Sequence, residues 1–257
     1  MDRLICANIF VPLRLSPSHR SEQGSQLLFG EKYIITDSSA EWLKVKNEFD
    51  SYEGWIDGEH HLFYESGEAD GKPQVLAGRT RFSSEEGDSF YLEAGSAIYN
   101  INREMNAFTI GGKIFRAEDR IITAPGKQDI SFTAMSFLNC PYLWGGRTAR
   151  GMDCSGLTQL VYKLHGHSLP RDSFRQAETG TTISFLEEAG PGDLLFFDNK
   201  QGNITHVGLL LDGKRIIHCS GKVRIDMIDH QGIYIENTNR YTHSLRTIKR
   251  IETRDVL

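Results

Sequence analysis

The chain has 257 residues, of which 39% are hydrophobic and 25% charged, with a formal net charge of -5. That balance describes an ordinary globular protein. It argues against a nucleic-acid surface, which needs a basic stripe. No stretch of 18 consecutive apolar residues is present to span a membrane. The first residues, Met1-Asp2-Arg3-Leu4-Ile5-Cys6-Ala7-Asn8, hold too few apolar side chains for a signal-peptide core. The expectation is therefore a cytoplasmic chain, or a periplasmic one if the start is trimmed. The cysteines Cys6, Cys140, Cys154 and Cys219 are widely spaced and form no CxxC pair, which favours free thiols over disulfides or a zinc knuckle.

In chain order, residues 1–124 carry strand signals almost throughout. Leu27 to Ile35, broken by Gly30, is followed by Trp42 to Lys46 and Gly54 to Ile56, with polar turns between them. Short strands joined in this way predict a small barrel over residues 1–64. A second strand-rich cluster, with Ser89 to Leu92 and Ala107 to Gly112, predicts another over residues 65–124. The polar segment from Glu65 to Pro73 is the expected linker.

After Pro125-Gly126 the pattern changes. Ile130, Ala134, Phe137 and Leu138 share one helical face, as do Leu157, Leu160, Val161 and Leu164, with Gly166 as a stop. Asp193 to Phe197, His206 to Leu211 and Arg215 to Cys219 read as strands. Residues 125–257 are thus expected to form an α+β domain, helices on an antiparallel sheet.

Cys154 falls at the start of the second helix with Asp153 as its natural cap, so the helix dipole is expected to favour the thiolate. His206 and His218 lie on two strands joined at Leu211-Asp212-Gly213. A three-residue loop pairs 206 with 218 across the ladder; a two-residue Asp-Gly turn puts them on opposite faces. In the first register one histidine deprotonates the thiol and the other orients it. A buried structural cysteine, a solvated histidine pair and a zinc site from the same three residues are the competing readings.

Pro141-Tyr142-Leu143-Trp144-Gly145-Gly146, Gly151-Met152-Asp153-Cys154-Ser155-Gly156-Leu157, Leu169 to Gln176, Pro191 to Phe197, Thr205-His206-Val207-Gly208 and Ile217-His218-Cys219-Ser220-Gly221 resemble, in order, the blocks of the NlpC-type cell-wall cysteine peptidases. The resemblance covers about residues 125–257 and implies a papain-like peptidase domain. It casts Cys154 as nucleophile, His206 as base, His218 as orienter and Tyr142 as an oxyanion donor beside backbone amides. The front half resembles two bacterial SH3-like barrels of the dipeptidyl-peptidase VI type. Their presence implies a γ-D-glutamyl-L-diamino acid endopeptidase acting on free murein stem peptides and releasing L-Ala-γ-D-Glu. Glu22, Tyr52 and Asp153 are then expected to hold the free L-alanine amine, Ser155 and Ser173 the D-glutamate carboxylate, and Trp144 to wall the pocket. No metal or organic cofactor is implied. A wall-binding adaptor with an inactive peptidase domain, and an acyl transferase on the same fold, are the alternatives. The sequence carries no signal for oligomeric state.

Overall fold

The computed structural model describes residues 3–59, 62–65, 67, 69, 71–124 and 129–252. The chain forms two compact units, Met1–Gly126 and Lys127–Leu257. Pro125-Gly126, the expected boundary, lies outside the described residues.

The first unit is built from strands. β1 (Arg3–Cys6), β2 (Phe10–Arg14), β3 (Gln23–Leu28), β4 (Lys32–Ser39), β5 (Trp42–Asn47), β6 (Glu53–Asp57) and β7 (Phe63–Glu65) make an antiparallel sheet in the order β3-β2-β6-β5-β4-β1-β7. The period-two alternation of β6, with Gly54 and Ile56 inward and Glu53, Trp55 and Asp57 less buried, is the pattern of a half-buried strand. Leu4, Cys6, Leu13, Leu27, Tyr33, Val45 and Ile56 form the core under this sheet.

Two further sheets follow. β8 (Gln74–Leu76), β11 (Ala97–Ile98) and β14 (Thr123–Ala124) pair in the order β11-β8-β14. β9 (Thr80–Ser84), β10 (Ser89–Leu92), β12 (Ala107–Ile110) and β13 (Lys113–Ala117) pair in the order β10-β9-β13-β12. Aromatic rings fill their core, with Phe82 edge-on to Phe108 and Phe108 stacked on Phe115, both at 5.0 Å between centroids. Ile5 and Phe29, from the first set of strands, are buried in this same core, which joins the two sets. The expected linker runs between β7 and β8; its Ser66, Glu68 and Asp70 lie outside the described residues.

The second unit begins with α1 (Ile130–Met135), capped by Asp129, whose carboxylate accepts from the Ser131 amide. This helix is shorter than its apolar face predicts: Phe137 and Leu138 fall in the turns beyond it. Next come β15 (Arg147–Thr148) paired with β16 (Gly151–Met152), α2 (Cys154–Leu164) and α3 (Ser173–Gln176). The large sheet consists of β17 (Thr181–Ile183), β18 (Leu194–Asp198), β19 (Ile204–Asp212), β20 (Arg215–Ser220), β21 (Lys222–Asp229), β22 (Gly232–Ile235) and β23 (Arg240–Arg250). Their order is β17-β23-β18-β19-β20-β21-β22, and β23 also pairs β22, so the sheet closes on itself. Leu195, Phe197, Leu210, Ile216, Ile228, Ile233 and Ile248 fill one face of it. Among the described residues no helix is long and apolar enough to cross a membrane.

Candidate active site

Cys154 is the first residue of α2, as its sequence context predicts, and Asp153 is the N-cap, accepting from the Gly156 amide at 2.7 Å. A side chain at Gly156 would strike the Gly146 carbonyl, so the glycines let the helix start pack directly on the preceding loop. The Cys154 thiol is buried, against the backbone amides of Val207 and Ser155. Burial pushes it up to about 12, and the Asp153 carboxylate adds to the rise; the Val207 amide, Arg171 and the Ser155 amide oppose it. Burial therefore opposes the thiolate that the helix start favours. For such a thiol to act as a nucleophile, a base would have to take its proton.

The histidine expected to act as base, His206, lies on β19. His218 pairs with Gly208, not with His206, and Leu210 pairs with Ile216. The predicted three-residue loop is replaced by a two-residue turn at Gly213-Lys214, closed by the Asp212–Arg215 pair, with one extra residue bulged between Leu210 and Asp212. The turn alone would put the histidines on opposite faces; the bulge slips the register by one and returns them to the same face. They then meet diagonally, across the space a side chain at position 208 would fill, since a Cβ there would come within 2.9 Å of the His218 Cβ. His206 Nε2 and His218 Nδ1 are 2.8 Å apart and share a hydrogen bond. His218 Nε2 in turn lies 2.8 Å from Asp226 Oδ2. Arg224 grips the same carboxylate, Nε to Oδ2 at 2.6 Å and an Nη to Oδ1 at 2.7 Å. Burial drives His206 well below its ordinary value, helped by His218 and His243, so it stands neutral and ready to accept a proton.

His243, on β23, stacks on the His206 ring with centroids 4.2 Å apart. It reaches that position because β23 pairs both β22 and β18 and so closes the sheet over the histidines. Burial, and after it the neighbouring His218, lowers it to about 4, despite the opposing pull of Asp226. Between about pH 4 and 6.5 the unfolded chain therefore binds more protons here than the folded one. Stability is full above 6.5 and declines as the pH falls through that window. His206 acts in the same direction. The urea midpoint is expected to fall from pH 7 to pH 4.5, and His243→Phe to flatten part of that slope; an unchanged slope would refute the assignment.

Asp153 is the most heavily engaged side chain of the site. Its Oδ1 accepts from the Gly156 amide, Ser155 Oγ and an Arg171 Nη, and its Oδ2 from the Gly145 amide and the other Arg171 Nη at 2.6 Å. Ser155 Oγ also accepts from Arg171 at 2.8 Å. Two of the residues expected to touch substrate are therefore fixed by Arg171 within their own unit. Gln176 of α3 donates to the Ser155 carbonyl, which ties the helix bearing Ser173 to the start of α2. Arg147, another charge near Cys154 in sequence, is buried on Gln159 at 2.6 Å and supports α2. Tyr142 is pinned by its amide to the Gly221 carbonyl. Burial and the nearby Cys154 raise its hydroxyl to about 12, so it remains a donor. Trp144, expected to wall the pocket, is 58% exposed. Cys219, one residue past His218, turns its thiol to the Met152 carbonyl at 3.1 Å and braces the strand that leads into Cys154.

In the first unit, Glu22 is exposed and directly precedes β3. Tyr52 packs beside the core, and a methyl at Gly24 would overlap its hydroxyl. The structure thus sets the Tyr52 hydroxyl over the backbone two residues from Glu22. Among the described residues no group of three His, Cys, Asp or Glu side chains is arranged to hold a metal ion.

Residues 139–233 match the NlpC/P60 family, and residues 13–60 match the bacterial dipeptidyl-peptidase SH3 domain. The chain is 32% identical to a γ-D-glutamyl-L-lysine dipeptidyl-peptidase of Bacillus subtilis, over 76% of this chain and 71% of that one. It is 26% identical to dipeptidyl-peptidase 6 of Lysinibacillus sphaericus, over 90% and 93%. A solved NlpC/P60 family protein from Bacillus cereus superposes with a TM-score of 0.82 at 20% identity, covering 96% of this chain and 99% of that one, a likeness of fold.

Proposed function

This chain belongs to the NlpC/P60 family of cysteine peptidases, and from that premise we propose that it hydrolyses the γ-D-glutamyl-L-diamino acid bond of free murein stem peptides. The observation that carries the chemistry is the hydrogen-bonded pair of His206 and His218 on one face of the sheet, beside a helix-borne cysteine. The substrate class is supported by the relatives named as γ-D-glutamyl-L-lysine dipeptidyl-peptidases.

In this mechanism His206 Nδ1 takes the Cys154 proton as the sulfur attacks the γ-carbonyl carbon. The oxyanion draws on the Tyr142 hydroxyl and on amides at the start of α2, the kind of donors that stabilise charge as it develops. His206 then returns the proton to the departing amine. The thioester that remains is cleaved by water, with His206 again the base, and L-Ala-γ-D-Glu is released. Ser155, Ser173 and Trp144 are assigned to the D-glutamate part. Glu22 and Tyr52 are assigned to the free L-alanine amine, for which a carboxylate beside a hydroxyl is suitable chemistry.

The test compares free and N-acetylated L-Ala-γ-D-Glu-L-Lys on the wild type and on Glu22→Ala, by product mass. Acetylation removes the cation that the Glu22 carboxylate would pair with, so the free peptide should be cleaved faster than the acetylated one. Glu22→Ala should erase most of that preference. Equal cleavage of both peptides by the wild type would overturn the amine assignment.

A further inference from the structure

The two histidines and the Asp226 carboxylate form an unbroken chain of hydrogen bonds whose polarity is set at one end. A carboxylate can only accept, so the proton in the 2.8 Å contact to Asp226 Oδ2 sits on His218 Nε2. With that nitrogen protonated, the Nδ1 of neutral His218 is bare and must accept. The proton in the 2.8 Å contact between the rings then sits on His206 Nε2. This leaves His206 Nδ1 as the bare nitrogen, the form a general base requires.

We propose that Asp226 is a positioning residue that locks the tautomers of both His218 and His206, and so determines which nitrogen of His206 receives the Cys154 proton. The inference rests on the reading of Cys154 and His206 as nucleophile and base, and reaches one residue beyond it.

Three features make Asp226 fit for this. Its carboxyl is nearly inaccessible, with 7% side-chain exposure. Burial alone would raise it, yet the hydrogen bonds from His218 and Arg224 more than offset burial and hold it below the ordinary carboxylate range, so it stays an acceptor. Arg224 binds both its oxygens, which fixes the plane of the carboxylate toward His218. The register places it correctly as well: Ile216 pairs with Asp226 and His218 with Arg224, so Asp226 reaches His218 on the diagonal, as His218 reaches His206.

Without the carboxylate the chain can run the other way. An amide nitrogen at position 226 donates to His218 Nε2, which moves the ring proton to Nδ1, reverses the contact with His206, and puts a proton on the nitrogen that must accept one. The experiment is Asp226→Asn, which keeps the shape, with Asp226→Glu as a second variant that keeps the acceptor. For Asp226→Asn, kcat on L-Ala-γ-D-Glu-L-Lys should fall on the order of a hundredfold or more with KM within about threefold of wild type. Asp226→Glu should recover at least part of that loss. Nitrogen-15 NMR of histidine-labelled protein should show His206 and His218 protonated at Nε2 in the wild type, and Nδ1-protonated forms in Asp226→Asn. That spectrum is read without substrate, so it tests the lock even if Cys154→Ala retained turnover and the nucleophile assignment fell. An Nδ1-protonated His218 in the wild type, or an asparagine variant with unchanged kcat and unchanged tautomers, would overturn the proposal.

Discussion

Replacing Cys154 with alanine is expected to lower kcat/KM by on the order of 10⁴-fold or more while leaving the fold intact. The loss is large because no other group in the site can form the acyl intermediate. Cys219 is committed to the Met152 carbonyl, and burial raises it to about 12 as well. The fold should survive because the start of α2 is held by Asp153 and not by the thiol. Removing one sulfur leaves a small cavity, worth about 1 kcal/mol. Circular dichroism and a melting curve check the fold, and turnover of L-Ala-γ-D-Glu-L-Lys checks the chemistry; wild-type turnover by the alanine variant would falsify the assignment. The pH dependence follows from the same groups. His206 is lowered by burial and by its neighbours His218 and His243, so it remains a base well below pH 6.5. The acid limb of kcat/KM should therefore fall below that value in the wild type.

Much of this site was legible before any coordinates. The 3, 4 and 7 spacing of Leu157, Leu160, Val161 and Leu164 defined α2, and Asp153 marked its start, because caps and apolar periodicity are local properties. The parity of the hairpin was legible too, since the histidines could cooperate only from one face. Its register was not. A bulge between Leu210 and Asp212 leaves no residue-type signature, and it shifted the partner of His218 to Gly208. The glycine was the readable clue: a residue without a side chain, two places from one histidine, leaves room for the other. The setting of the thiol is hidden in the sequence for a different reason. A helix start is visible in sequence, but the depth of burial that opposes its dipole is a property of the packed fold.

The strands after Ser220 were overlooked, and with them Asp226 and His243. Lys222-Val223-Arg224-Ile225-Asp226-Met227-Ile228-Asp229 alternates polar and apolar residues, and that period-two pattern was available. β23 gave a weaker signal. Most of its residues are charged or hydroxylated, and only the closure of the sheet places His243 against His206. No local rule foretells which distant strand closes a sheet.

Arg171→Met is expected to destabilise the peptidase unit by about 3–5 kcal/mol, the largest stability effect of any single substitution in the site. Arg171 and Asp153 are both nearly inaccessible, with side-chain exposures of 2% and 8%, and their closest approach is 2.6 Å. Methionine matches the bulk of the arginine stem but supplies no donor. Asp153 would keep the Gly145 and Gly156 amides and Ser155, and lose the Arg171 guanidinium, leaving its charge buried without that cation. The consequence is not confined to stability. Through Asp153 the guanidinium connects three separate pieces of chain: the Gly145 loop, the start of α2 and its own segment before α3. Loosening that junction moves the Cys154 sulfur relative to the Val207 amide and the histidines, so kcat should also fall under conditions where the variant is fully folded. The double variant Asp153→Asn, Arg171→Met separates the two effects. It removes both charges together, so it should be less destabilised than the sum of the single variants, while its kcat remains low because the junction is still broken. Urea titrations give the stabilities, and turnover at 15 °C, well below the melting range, gives the rates. A cost under about 1 kcal/mol for Arg171→Met, as for an exposed pair, would mean that the ion pair does not hold the site together.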